Sequence, residues 1–233
     1  MSIKRILFID DDHVDGIVDK LRKNLKKNGV TLSESVLHLN QDKFKMKNDE
    51  GKIILDFEKI KTDLRDNHMS ELYDVVSCDY YFAKDPLDGY QILKWLKNES
   101  ESQKKKIRRA KYFLYSSEGD KMAKDLNSVN DISQLIKLKL TDFFKRENLS
   151  IDLTKVILNS QASFSFSDKL LNEFDKYPGC EFKSVYPKFK GKKLHEIAEE
   201  IDKELPNGVD FQNNLAELTI AHMIELNNFG TND

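Results

Sequence analysis

Cysteine is nearly absent from this sequence, and the two present, Cys78 and Cys180, form neither a disulfide framework nor a zinc motif. Cys78 falls within an apolar, strand-like run, where a reduced thiol packs as a small hydrophobe, and a reducing cytoplasm is the expected compartment. No apolar run approaches the roughly 18 residues of a membrane span. The opening M-S-I-K-R-I-L-F is too short and too strand-like for a signal peptide. Excess charge is missing too: 38 basic and 40 acidic side chains leave a net charge of −2, giving no global reason for a nucleic-acid or membrane partner. Histidines 13, 38, 68, 195 and 222 are scattered without metal-ligand spacing, and there is neither a repeat nor a low-complexity segment. What remains is 233 residues, 33% charged and 39% apolar, enough for one well-packed domain or a domain with an appendage.

Two segments carry the chemistry. Y-D-V-V-S-C-D-Y-Y-F (73–82) reads as a buried strand delivering Asp79 to its C-terminal end. K-R-I-L-F-I-D-D-D (4–12) is a strand of the same kind ending in three carboxylates. In an open parallel sheet the strand C-termini share one edge, and ligands bind there. Acids gathered at that edge suit a hard divalent cation, and a carboxylate among them can accept a phosphoryl group.

The remaining pattern places these strands in an alternating β/α order. Val14, Ile17, Val18, Leu21 and Leu25 predict a helix over 14–28 stopped by Gly29, and 30–39 reads as a second strand. K-F-K-M-K-N-D-E-G-K-I-I-L (43–55) is a hairpin pattern, expected as an inserted β-ribbon. Residues 56–72 are moderately helical, Asp88-Gly89 opens a helix burying Ile92, Leu93 and Leu96, and K-Y-F-L-Y-S-S (111–117) is a strand ending in hydroxyls. Such alternation argues for an α/β fold with a doubly wound parallel sheet. From 121 onward only helices are expected, including one whose stripe runs Ile132, Leu135, Ile136, Leu140, Phe143, Phe144. Another is expected around Leu170, Leu171 and Phe174. A further helix from Leu194 would be stopped by Pro206-Asn207-Gly208. The expected division is an α/β domain over 1–147 and a helical region over 148–233.

Over residues 1–120 this pattern resembles the receiver domain of bacterial response regulators, a flavodoxin-like fold. The resemblance rests on Asp10-Asp11 after the first strand, Asp79 after the third, Ser116 after the fourth and the Asp88-Gly89 pair. It implies that Asp79 is the phosphoacceptor and that Asp10, Asp11, Asp79 and the backbone carbonyl of Tyr81 hold Mg2+. Ser116 would hydrogen-bond the phosphoryl group. Receivers also place a lysine at the end of a fifth strand. Lys137 follows Leu135-Ile136 in the family manner but sits in the helical stripe, so it is only a weak candidate. The Asp11–Asp79 separation also exceeds what a compact βαβ unit of about 30 residues needs, and the hairpin would absorb the excess.

The partners implied are a histidine kinase or phosphotransfer protein and a downstream protein, with a homodimer left open. Residues 148–233 show no helix-turn-helix recognition helix or concentrated basic face, which argues against direct DNA contact. A phosphoacceptor with at most self-phosphorylation and dephosphorylation chemistry is expected, rather than a turnover enzyme. Two other readings stay open. One is a degenerate receiver acting as a docking module, a type also found in bacterial defence operons. The other is a haloacid-dehalogenase-type phosphatase, since I-L-F-I-D-D-D-H-V resembles that family's first motif, with Asp10 as nucleophile, Asp12 as general acid and Gly119-Asp120 and Asp125 as distant metal acids.

Overall fold

Nine residues from Ser2 to Asp10 form the first strand, β1, and it occupies an inner position in a five-stranded sheet of the computed structural model. The structure describes residues 2–82, 85–118, 138, 140–161, 166–174, 176–177, 179–183 and 186–229. Lys137, Gly119, Asp120 and Asp125 lie outside the described residues, as do Ile132, Leu135 and Ile136 of the expected stripe.

Helix α1 (Asp15–Lys27) buries Val18, Leu21 and Leu25 on one stripe, and Gly29, at φ 72°, turns the chain into β2 (Val30–His38). A two-stranded antiparallel ribbon follows, β3 (Lys45–Lys47) with β4 (Ile53–Leu55), so the hairpin expected over 43–55 is present. Asp56 then caps α2 (Phe57–Asn67), its carboxylate accepting from the Lys59 N–H. Next come β5 (Val75–Asp79), α3 (Gly89–Ser102) and β6 (Lys111–Ser116). The sheet order is β2-β1-β5-β6-β7 and every pairing is parallel. That order reverses between β1 and β5, so the strand ends on either side of the reversal flank a crevice.

The strand β7 (Asp142–Lys145) corrects the expectation of an unbroken helical stripe through Phe144. Phe143 and Phe144 point to opposite faces, as strand neighbours must. The Phe144 ring stacks on Phe113 with centroids 5.2 Å apart, while Phe143 meets Tyr80 at 6.3 Å. Two adjacent aromatics fit a period of 3.6 as well as a period of 2, and an open sheet edge beside β6 decides for the strand.

Alternation divides the core between two layers. Leu7, Ile9, Val76, Cys78, Tyr112 and Leu114 pack with α2, α3 and Phe44, which precedes the ribbon, on one face. Ile6, Phe8, Val75, Phe113 and Tyr115 pack with α1 and with α4 (Leu149–Gln161) on the other. Because Leu149, Leu153 and Ile157 are buried in this second layer, the compact unit runs to residue 162 and includes the first helix beyond 148.

The second unit, 163–233, has a small core of its own. Tyr186, Phe189, Ile197, Ile201 and Phe211 are buried together between α5 (Phe166–Phe174), α6 (Leu194–Asp202) and α7 (Pro206–Phe229). Pro206-Asn207-Gly208, expected as a stop, is instead the first turn of α7, where proline's missing N–H costs nothing. Among the described residues no helix is long and apolar enough to cross a membrane. Truncating Leu153 to alanine is expected to destabilise the protein by about 2–5 kcal/mol in urea denaturation. A loss under about 0.5 kcal/mol would remove α4 from the core.

Candidate functional site

The acidic residues predicted from sequence do meet. Asp10 ends β1, Asp79 ends β5 and Asp11 follows, and one carboxylate oxygen from each lies within 4.8 Å of the others. The convergence follows from the register. Ile9 pairs with Cys78, so the next residue of each strand leaves the sheet at the same height and on the same face. That face also carries Tyr115, opposite Asp79.

The two buried acids differ sharply in their partners. Both oxygens of Asp10 are engaged: Oδ1 accepts the Asp12 N–H at 2.8 Å, and Oδ2 accepts the Tyr115 hydroxyl and Arg146 Nη1, the latter at 2.7 Å. Asp79 Oδ2 accepts the same Arg146 nitrogen at 3.0 Å, but among the described residues the buried Asp79 Oδ1 has no hydrogen-bond partner. An orphaned, buried carboxylate oxygen is costly, and a cluster of it with two further carboxylates is compatible with a bound cation. The donor set, hard oxygens only, fits a hard divalent ion. Burial, and then the charge of Asp10, push the Asp79 carboxyl up to about 7, with Arg146 pulling partly the other way. Burial followed by Asp10 holds the Tyr115 phenol well above its usual range, so it remains a donor.

Arg146 was not expected from sequence. It follows β7 directly, and its Nη2 also donates to the His13 carbonyl at 3.2 Å and lies 3.5 Å from Asp12 Oδ2. Its guanidinium carbon stands 5.6 Å from the centroid of the Tyr115 ring. The fifth strand therefore ends in two cations, Lys145 and Arg146, where one lysine was sought further upstream. The signal available was the strand-like run D-F-F-K, hidden by the apolar residues before it.

The loop after β5 explains the Asp88-Gly89 pair. Tyr81, whose carbonyl was expected at the metal, pairs with Asp88 in an isolated antiparallel bridge, and the Gly89 N–H donates to the Tyr80 carbonyl at 3.0 Å. A Cβ at Gly89 would stand 1.8 Å from the Asp79 carbonyl oxygen, so only glycine fits. Asp88 caps α3 through the Gln91 N–H, and Asp85 ties the loop to the ribbon by accepting the Leu55 N–H at 2.5 Å. Ser116, fully buried at the end of β6, accepts the Glu118 N–H at 2.9 Å. It lines a cavity of about 770 Å³ together with Ser117, Lys145, Arg146, Lys20 and Ser150.

Two outcomes follow. Gly89→Ala is expected to displace the Asp79 backbone and weaken Mn2+ binding by about tenfold or more while the far-UV spectrum is kept; unchanged binding would show that the contact does not position Asp79. The second concerns pH. The folded carboxyl of Asp79 holds its proton to about pH 7, whereas the unfolded one loses it near 3.8, so without metal its contribution to stability falls as pH rises through that window. Metal-free Asp79→Asn should therefore exceed the parent in stability by on the order of 1–4 kcal/mol above pH 7, with the gap closing near pH 4. A variant less stable than the parent at pH 8 would contradict this.

No protein-family profile matches the sequence, and no curated protein is similar to it. Among solved structures, the chain is similar to a response regulator from Thermotoga maritima at 15% identity and a TM-score of 0.39, covering 70% of this chain and 100% of that one. A response regulator receiver domain from Rhodospirillum rubrum is 17% identical with a TM-score of 0.38, covering 69% and 95% of the two chains. A sensor protein from Polaromonas sp. JS666 is 15% identical with a TM-score of 0.37, covering 65% and 90%. The strand order and the parallel pairing give the chain a flavodoxin-like, doubly wound sheet, extended by an inserted ribbon and C-terminal helices.

Proposed function

We propose that the protein is a phosphoacceptor in a signalling relay, taking a phosphoryl group on Asp79 from a histidine kinase or phosphotransfer protein. The observation that carries this reading is the unpartnered, buried Oδ1 of Asp79 within a cluster of three convergent carboxylates. In this reading Asp10, Asp11 and Asp79, with the Tyr81 carbonyl, hold Mg2+. The bound ion would neutralise charge on the carboxylate and on the incoming phosphoryl oxygens. An Asp79 oxygen forms the new O–P bond while the donor's bond to phosphorus breaks and its leaving group takes the electron pair. The phosphoryl group adds about −1.5 to −2 charges, and the cavity beside the site offers Ser116, Lys145 and Arg146 to receive them.

The output in this proposal is a change in protein–protein affinity. The residues given chemical roles all lie in the compact unit that runs to residue 162. Ser116 would link the two states, since a group that shifts a conformational equilibrium must interact differently with its two ends. The phosphatase alternative fares worse, because its nucleophile, Asp10, is fully buried with both oxygens already hydrogen-bonded. A docking module without phosphorylation has one observation in its favour, the guanidinium already lodged between Asp10 and Asp79.

Incubation with Mg2+ and acetyl phosphate separates these readings by intact mass. One phosphoryl adduct is expected, lost in Asp79→Asn and kept in Asp12→Asn. An adduct that survives Asp79→Asn, or none in the parent, would overturn the proposal. Ser116→Ala should keep most of the adduct yet lose the shift in partner affinity; a full shift in that variant would remove the role given to Ser116.

A further inference from the structure

The acidic cluster already contains a cation supplied by the chain itself. Arg146 Nη1 sits between the two buried carboxylates, 2.7 Å from Asp10 Oδ2 and 3.0 Å from Asp79 Oδ2. Its other nitrogen grips the His13 carbonyl in the turn before α1. Arg146 also begins the short turn Arg146–Asn148 between β7 and α4, so one side chain ties β1, β5 and the entrance to α1 to the start of α4. Such a side chain is no bystander to a second cation.

We infer that Arg146 is an internal competitor for the divalent ion, and that it releases Asp79 when the ion binds. The inference rests on the metal-binding reading above. A small divalent ion binds carboxylate oxygens at about 2.0–2.1 Å in a near-ideal octahedron. Three of the four oxygens of Asp10 and Asp79 are already hydrogen-bonded, two of them to this one nitrogen. An ion on Asp79 Oδ1 would share one carboxylate with the guanidinium held on Oδ2, inside a buried site where like charges repel strongly. The guanidinium has a place to go, because Arg146 lines the cavity that also holds Ser116 and Lys145. Ion occupancy is thereby coupled to the β7–α4 turn: the same side chain cannot both bridge the acids and leave room for the ion.

Arg146→Met keeps the aliphatic stem and removes the charge. Free Mn2+, counted by electron paramagnetic resonance at pH 8, is expected to show binding at least about tenfold tighter in this variant than in the parent. In the parent, saturating Mg2+ should speed amide hydrogen exchange across 145–150. In Arg146→Met exchange there should be fast at the outset and unresponsive to the ion. Arg146→Lys keeps the charge if the first variant does not fold; an ammonium lacks the second, rigidly placed nitrogen that reaches the His13 carbonyl, so binding a few-fold tighter than the parent is expected. Equal or weaker Mn2+ binding in these variants, with the parent itself binding, overturns the inference alone. Absence of binding in every protein overturns the metal reading and this inference with it.

Discussion

Two carboxylates buried against each other at the ends of adjacent parallel strands are the constraint around which this protein is arranged. Asp10 and Asp79 repel, and burial removes the water that would screen them. The surrounding chain compensates unevenly. Asp10 receives a backbone N–H, a phenol and a guanidinium, whereas Asp79 shares that guanidinium through Oδ2 and, among the described residues, has no hydrogen-bond partner on Oδ1. A site built for stability alone would have satisfied that oxygen or done without the charge. The asymmetry therefore sets Asp10, whose oxygens are both hydrogen-bonded, apart from Asp79, the acid given the reacting role in the proposed function.

The elements outside the sheet serve this arrangement. The ribbon inserted between β2 and α2 accounts for the long interval between the two acidic strand ends. It also braces the loop after β5 through Asp85. Gly89 lets α3 approach so closely that the Asp79 backbone has nowhere to shift. On the opposite face Leu149, Leu153 and Ile157 anchor α4, fixing the turn that delivers Arg146. The position of one guanidinium thus depends on helix packing well away from the acids, a dependence that could let site occupancy reach other surfaces.

Much of the architecture was legible in the sequence because its signals were local. A four- or five-residue apolar strand ending in Asp, a cap at Asp88 and a turn at N-D-E-G each have one strong physical reading. The convergence of Asp10, Asp11 and Asp79 followed from the rule that parallel strands share an edge. What stayed hidden were features needing a neighbour to interpret them. Phe143 and Phe144 fit a helix until β6 is seen alongside them. Arg146 is one of 38 basic residues, and nothing near it in sequence reveals that it reaches across to Asp10 and Asp79. Tyr115 is one residue of the strand run 111–117, and its hydroxyl on Asp10 is a contact between residues 105 positions apart.

The account stands on the three acids forming a true ion site rather than an accidental gathering of charge. A crystal structure of the protein grown with Mn2+, with data collected at the manganese absorption edge, tests that directly. The account predicts a single anomalous peak among the carboxylates of Asp10, Asp11 and Asp79, with Asp79 Oδ1 among its ligands. A cluster without such a peak, Arg146 still bridging Asp10 and Asp79, would contradict it.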